Sequence, residues 1–135
     1  MSTKSGGQIY HLKVADVLVI HSEAISQFGG SAGIREMALL ESAVAAPQAS
    51  FGGESVYNDL IEVAAAYLFF ICRNHPFVDG NKRTALVVSF GFLDVNGFEV
   101  MASPEDAYLT ILSLAAGELT EEQLEQWFEK NTEQR

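Results

Sequence analysis

The chain has 135 residues, 48% of them hydrophobic, and a formal net charge of −10. This length suits one domain with a single core. The negative charge argues against sequence-independent nucleic-acid binding, which needs a broad basic surface. No apolar run reaches the roughly 18–20 residues of a membrane span, and "MSTKSGGQ" does not lead into a signal-peptide core. We therefore expect a cytoplasmic protein that contacts neither membranes nor nucleic acid directly.

Six helices are predicted from apolar spacing and from residues that start or stop helices. They cover residues 13–28, 35–46, 59–73, 82–96, 104–117 and 121–130. Asp59 with Glu62, and Thr120 with Gln123, form capping-box patterns at two helix starts. Ser103 precedes a proline at a third start, a favourable N-cap arrangement. The third and fourth helices are apolar almost all round, which predicts that they are central and buried.

Residues 49–57, "ASFGGESVY", differ from the helical segments, because β-compatible residues flank two glycines. This pattern predicts a small hairpin or flap. Residues 98–102, "FEVMA", are expected to be a short extended piece, and residues 1–12 a flexible lead-in to a single domain over 13–135. The predicted fold is all-α, with about six helices and one small hairpin.

The loop "RNHPFVDGNKRTA", residues 73–85, holds three of the eight basic residues of this acidic chain: Arg73, Lys82 and Arg83. It lies between the two most apolar predicted helices, so it is not a solvated tail. Positive side chains in the first turn of a helix oppose the helix dipole and reduce stability slightly. The position of Lys82 and Arg83 therefore favours an anionic ligand over a purely structural role.

The other polar residues of this loop provide further chemistry. Asp79, Gly80 and Asn81 form a tight-turn pattern directly before a helix, whose free N–H groups bind phosphate readily. His75 can accept a proton near neutral pH, and Asp79 can hold a magnesium ion or orient a hydroxyl group. Phe77 is expected to anchor the loop in the core. Together these residues form a plausible site for phosphoryl transfer.

Each of these residues also has a structural explanation. His75 could cap the preceding helix, where a cationic histidine is favourable. Asn81 could be an ordinary N-cap residue, and Lys82 and Arg83 could be solvated. These separate explanations do not account for a polar cluster between two buried helices, which favours the functional interpretation.

The segment "HPFVDGNKRTA" closely resembles the signature of the Fic/Doc superfamily. The segments "FGGSAGIRE", "LLESAVAAPQASFGG" and "FLDVNGFEV" resemble its Doc (death-on-curing) branch, the toxins of bacterial toxin–antitoxin pairs. The likeness runs from about His21 to the C-terminal region, and it implies a Fic/Doc-like helical bundle.

The resemblance implies a role for the catalytic positions of the motif. His75 matches the family's catalytic histidine, which acts as the general base on a target hydroxyl. Asp79 matches the acidic residue associated with catalysis and with Mg²⁺. Phe77 matches the anchor of the loop.

The remaining motif positions match the family's phosphate grip. Gly80 and Asn81 match the anion-binding turn, and Lys82 and Arg83 match the positive pair that holds nucleotide phosphates. AMP-transferring Fic proteins usually have Gly in place of Lys82 and a second Arg in place of Leu86. Both differences resemble the Doc branch, which implies transfer of the terminal phosphate of ATP to translation elongation factor Tu. Transfer of AMP to a protein hydroxyl, and a catalytically silent anion-binding module, remain alternatives.

The predicted hairpin also has a counterpart in the family. Phe51, Gly52 and Gly53 resemble the flap that lays the target backbone beside the active site. Many Fic proteins carry an inhibitory Ser/Thr-x-x-x-Glu-Gly/Asn pattern, but the stretch from Ser50 to Ser55 fails at the last position. The resemblance therefore implies restraint by a separate antitoxin of the prevent-host-death type.

Overall fold

The computed structural model describes residues 9–135, and helices dominate that part of the chain. Its six α-helices are α1 (Val14–Phe28), α2 (Met37–Ala45), α3 (Leu60–Asn74), α4 (Asn81–Val95), α5 (Pro104–Ala115) and α6 (Glu121–Asn131). A short 3₁₀ turn, Ala46–Gln48, follows α2. Each helix begins and ends within two residues of its predicted bounds, so the prediction of about six helices is confirmed.

The strands of residues 9–135 form two small antiparallel pairs. Strand β1 (Ser50–Phe51) pairs with β2 (Glu54–Ser55) as the predicted hairpin, and β3 (Phe98–Val100) pairs with β4 (Thr132–Gln134). The all-α prediction with a small hairpin is confirmed. None of the helices in this part of the chain is both long and apolar enough to cross a bilayer.

Helix α3 is the centre of the core. Nine of its fifteen residues are buried, and it packs against α2, α4 and α6. Asp59 caps its start, because its carboxylate accepts from the Glu62 amide at 2.9 Å. The Glu62 carboxylate accepts from the amide of Asn58, one residue before the cap, at 2.9 Å, so the predicted capping box forms only in its first hydrogen bond. Fixing the start of a buried helix also fixes where its last residue lies.

Helix α6 covers one side of α3 with an amphipathic face. Thr120 and Gln123 exchange the two capping-box hydrogen bonds predicted from the sequence. Leu124 and Phe128 are fully buried, whereas Glu122 and Glu129 are exposed.

The first described residues lie against the helical body. The backbone N–H and C=O of Tyr10 both bond to the side-chain amide of Asn96, at 2.9 Å each. The Leu12 amide donates to the hydroxyl of the buried Tyr67 at 3.1 Å. Most of the predicted flexible lead-in, residues 1–8, lies outside the described residues.

Strand β4 was not predicted. Its residues "TEQ" are polar and lack the alternation that marks a strand. The strand forms because β3 offers an unpaired edge, to which Thr132, Glu133 and Gln134 pair in register. A salt bridge of 3.0 Å between Arg135 and Asp94, both exposed, follows the strand.

Candidate active site

The loop between α3 and α4 begins with a histidine in an unusual backbone conformation. His75 ends α3 with φ 50° and ψ 56°, and among residues 9–135 it is the one non-glycine residue with a positive φ. This left-handed conformation costs about 1–2 kcal/mol for a residue with a Cβ atom, so helices usually place glycine there. Strain of this kind concentrates at functional sites.

A second segment, residues 31–36, lies along this loop and is called the support segment below. It forms a single antiparallel bridge in which Ile34 faces Phe77. The Val78 amide donates to the Gly33 carbonyl at 3.1 Å, and the Arg35 amide donates to the Pro76 carbonyl at 2.7 Å. The backbone of the loop is thus held from outside as well as by its two helices.

Phe77 and Asn81 lock the loop to the start of α4. Phe77 is fully buried, as an anchor must be, and Asn81 is 4% exposed. The Asn81 side chain accepts from the Phe77 amide at 2.9 Å and donates to the Phe77 carbonyl at 3.0 Å. Gly80 is the N-cap residue of α4, so the N-cap explanation for Asn81 is wrong. Contact between the Asn81 side chain and a phosphate stays a prediction, because in this conformation that amide is bonded to the loop.

His21, on α1, packs against the turn and bonds to its backbone. Its ring stacks on Phe77 with centroids 3.7 Å apart and planes 5° from parallel. Its Nε2 lies 2.8 Å from the Asp79 carbonyl oxygen, which can only accept, so Nε2 donates. At Gly80, with φ 80°, a Cβ atom would lie 3.2 Å from Ile25 and 3.6 Å from the His21 ring. The turn needs glycine for both its conformation and this close packing.

Asp79 points its carboxylate back at the neighbouring backbone. One oxygen accepts from the Gly80 amide at 2.9 Å, and the other accepts from the Ser31 amide at 3.2 Å. Residues 9–135 contain no cluster of three or more metal-ligating side chains. Mg²⁺ commonly binds through one or two carboxylates plus substrate phosphates and water. Asp79 therefore fits an ion that arrives with a phosphate ligand, and not a metal site built by the protein alone.

The predicted phosphate-binding residues share one cavity. Lys82 and Arg83 are exposed in the first turn of α4, and the Arg83 guanidinium carbon lies 3.6 Å from the centroid of the Phe28 ring. This cation–π contact holds the guanidinium beside the helix N-terminus. The cavity has a volume of about 520 Å³, with α4 on one side and α5 on the other. Its lining residues are Asp79, Gly80, Asn81, Lys82, Arg83, Leu86, Pro104, Ala107, Tyr108 and Ile111.

His75 lines a different cavity, of about 500 Å³, at the other end of α5. Its neighbours there include Cys72 and Arg73 from α3, and Leu114 and Leu119 from the region that ends α5. Burial raises the pKa of the half-buried Cys72 thiol, so it remains protonated at neutral pH. The structure therefore brings the residues from Asp79 to Arg83 together and places His75 at a neighbouring opening, with successive turns of α5 lining both.

The hairpin β1–β2 and this loop flank opposite ends of α3 in the sequence. The hairpin precedes the first residue of α3, whereas His75 follows the last, and a fifteen-residue helix is about 22 Å long. Phe51 at its tip is 87% exposed, and Gly52 and Gly53 form the turn. Docking of a target by this hairpin stays a prediction, while the segment that contacts the loop is the support segment.

Sequence reasoning missed the roles of the support segment and of His21. Residues 35 and 36 of the support segment were predicted to begin the second helix, and His21 was given no role within the first. One signal was present, because Arg35 and Glu36 follow closely after a glycine-rich stretch, residues 29–33. It could not identify the partner, because Arg35 and Pro76 are 41 residues apart in the sequence.

We predict that Asn81→Ala destabilises the protein much more than Arg83→Ala does. Asn81→Ala leaves the buried Phe77 N–H and C=O without partners, which should lower the free energy of unfolding by roughly 2–4 kcal/mol. Arg83→Ala removes a surface side chain and should cost under about 1 kcal/mol. Urea denaturation of both variants measures the difference. Equal losses would contradict the role of Asn81 as the residue that locks the loop.

The Arg83→Ala variant also tests whether Arg83 binds an anion, apart from any role in folding. Thermal unfolding in increasing inorganic phosphate should show a smaller rise of the midpoint for Arg83→Ala than for the wild type. Lys130→Ala, which removes one positive charge on α6, is the matched control and should respond like the wild type. A normal phosphate response of Arg83→Ala would show that Arg83 is not part of an anion site.

Comparisons of the sequence with known proteins show which family it resembles. The model of the Fic/DOC family matches residues 11–93. The chain is 38% identical over 110 residues to "Protein kinase doc" of Escherichia phage P1, covering 82% of this chain and 86% of that protein. It is 45% identical over 92 residues to "Toxin Doc" of Mycolicibacterium smegmatis (strain ATCC 700084 / mc(2)155), covering 68% of each. The family match includes the whole loop, all of α3 and α4 as far as Leu93, and the chain belongs to the Fic/DOC family.

Proposed function

We propose that this protein is a Doc-type toxin that acts in the cytoplasm as an ATP-dependent protein kinase. It transfers the γ-phosphate of ATP to a serine or threonine hydroxyl of elongation factor Tu and so stops translation. The observation that carries the proposal is the cavity at the N-terminus of α4, where Lys82, Arg83 and the free backbone amides face a space of about 520 Å³. The names of the two relatives, a protein kinase and a toxin, support it.

The N-terminus of α4 is suited to hold the phosphates. The N-cap residue, Gly80, has no side chain to accept from the first amides of α4, which can therefore donate to an anion. Lys82 and Arg83 add full positive charges at the same end. Arg83 lies on Phe28 and is therefore partly oriented before a ligand binds.

His75 is suited to receive a proton. Its side chain is exposed, and the neutral imidazole has a ring nitrogen that can accept a proton. In the proposed step, the imidazole takes the proton of the target hydroxyl as that oxygen bonds to the γ-phosphorus. The bond from the γ-phosphorus to the β,γ-bridging oxygen breaks, and ADP leaves. Mg²⁺, bound through Asp79 and the nucleotide, would neutralise part of the charge on the β- and γ-phosphates.

Two residues favour phosphate transfer over AMP transfer. Lys82 and Leu86 line the cavity where the resemblance to AMP-transferring proteins would require glycine and arginine. The lysine side chain fills and charges space that glycine would leave open, and leucine removes one cation from the phosphate grip. Both changes favour a nucleotide that presents its γ-phosphate to the histidine.

A separate antitoxin of the prevent-host-death type is the proposed partner. A groove of about 490 Å³ runs along α4 from Arg83 past Leu86, Val87 and Phe90. Its mostly apolar α4 surface suits the apolar face of an amphipathic helix. A helix bound there would lie beside Arg83 and could block the phosphate site.

We predict that the γ-phosphate alone reaches the target. Elongation factor Tu is incubated with the protein and ATP that is labelled at either the α- or the γ-position. The γ-label should transfer, and the target mass should rise by one phosphoryl group. His75→Ala should reduce the rate roughly 10²–10⁴-fold, because a positioned base is lost. Circular dichroism checks that this variant is folded.

The other outcomes separate the alternatives. Transfer of the α-label would replace the kinase proposal with a protein AMP-transferase. Absence of transfer from either position, to elongation factor Tu or to any protein of a lysate, would leave an anion-binding module. Full activity of folded His75→Ala would contradict the role of the histidine as base.

We also predict that the protein is toxic when expressed alone. Growth should stop on induction of the wild type and continue on induction of His75→Ala at equal protein level. Co-expression of the neighbouring reading frame that encodes the antitoxin should restore growth. Normal growth with confirmed, folded wild-type protein would contradict the toxin proposal.

A further inference from the structure

Three successive carbonyl groups at the end of α3, those of residues 74–76, accept hydrogen bonds from Arg35 and Glu36. The Arg35 guanidinium donates through Nε to the His75 carbonyl at 2.7 Å and through a terminal nitrogen to the Asn74 carbonyl at 2.9 Å. The backbone amides of Arg35 and Glu36 both donate to the Pro76 carbonyl, at 2.7 and 3.1 Å. Two consecutive residues of the support segment, Arg35 and Glu36, therefore satisfy the carbonyls of residues 74–76.

The sequence of the loop makes this external support necessary. A helix that ends in a left-handed residue is often closed by two backbone hydrogen bonds, one of them from the residue after it. His75 makes the first, to the Ile71 carbonyl at 3.2 Å, but the next residue is Pro76, which has no N–H. The final carbonyls of α3 need another donor, and they carry the partial negative charge of the helix C-terminus. Arg35 supplies both the donors and a positive charge.

The other arginine at this helix end does not make these contacts. The guanidinium of Arg73 lies 5.7 Å from the centroid of the Phe69 ring on the same helix. Arg73 can balance the helix dipole, yet no hydrogen bond from its side chain to the carbonyls of residues 74–76 is found within residues 9–135. Both arginines thus place a positive charge near His75, but only Arg35 bonds to the carbonyls at the end of α3. Arg73 is therefore a control for the effect of charge alone.

We propose that Arg35 is the positioning residue for His75. Its paired donors hold the Asn74 and His75 carbonyls, and this fixes the left-handed backbone from which the imidazole projects. Arg35 does not touch the reacting atoms and acts only through the backbone of His75. Its effect on the reaction rests on the proposed function, whereas its effect on the geometry of His75 does not.

The test compares Arg35→Met, Arg35→Lys and Arg73→Met in the full-length protein without any ligand. The chain has three histidines, so a spectrum of ¹³C-labelled imidazoles contains three ring signals, which single substitutions assign. Arg35→Met should shift or broaden the His75 signal and leave that of His11 unchanged. It should also speed hydrogen exchange of the His75 amide by about tenfold, the loss expected when charge-assisted hydrogen bonds disappear. Arg35→Lys keeps one charged donor and should have a smaller effect.

The control and the kinetic measurement complete the test. Arg73→Met removes the same charge and should leave the exchange rate of the His75 amide unchanged. In the transfer assay, Arg35→Met should lower kcat roughly 10–100-fold, as a misplaced catalytic group does, and leave KM for ATP unchanged. Arg35→Lys should recover part of kcat.

Each outcome decides the proposal. A His75 ring signal and amide exchange that are unchanged in folded Arg35→Met or Arg35→Lys would overturn it, whatever the activity. An equal effect of Arg73→Met would reduce the role of Arg35 to charge alone and would also overturn it. If neither the wild type nor any variant transfers a phosphate, the kinase proposal fails. The spectra and exchange rates then still decide the role of Arg35.

Discussion

The paired hydrogen bonds between the Asn81 side chain and the Phe77 backbone are the interaction on which the site depends. Helices α3 and α4 are both buried, so the loop that joins them must satisfy its own polar groups where water cannot reach. Asn81 satisfies both groups of Phe77 and ties the anchor to the first turn of α4. With Phe77 fixed, Asp79 and Gly80 turn on the surface, and the amides that open α4 face outward. The proposed phosphate site would then follow from a requirement of folding.

Two further sets of contacts hold the loop, on either side of the Asn81–Phe77 hydrogen bonds. His21 stacks on Phe77 and holds the Asp79 carbonyl, while the support segment holds the carbonyls from Asn74 to Pro76. The strained conformation of His75 persists because several of these contacts hold it at once.

Charges of opposite sign are separated on the protein. Acidic residues gather near Asp59 and Glu125, where burial and neighbouring carboxylates raise the pKa of Glu125, and positive residues remain at the start of α4.

Most of the fold could be predicted from the sequence, because its signals are local. Capping pairs such as Asp59 with Glu62, and apolar runs such as that of α3, mark helices through contacts within one or two turns. The composition of the loop likewise indicated an anion site before a helix. What could not be predicted depends on distant partners. Strand β4 exists only because β3 has a free edge, and Arg35 has a role only because α3 ends 39 residues later in the sequence.

The central claim is that the loop presents ATP with its γ-phosphate toward His75. A crystal structure of the protein with Mg²⁺ and a non-hydrolysable ATP analogue tests it most directly. We expect the phosphates at the N-terminus of α4, with Lys82 and Arg83 on them, Mg²⁺ near Asp79, and the γ-phosphate nearest to the imidazole. An α-phosphate nearest to His75, or a nucleotide bound outside the α4–α5 cavity, would contradict the account.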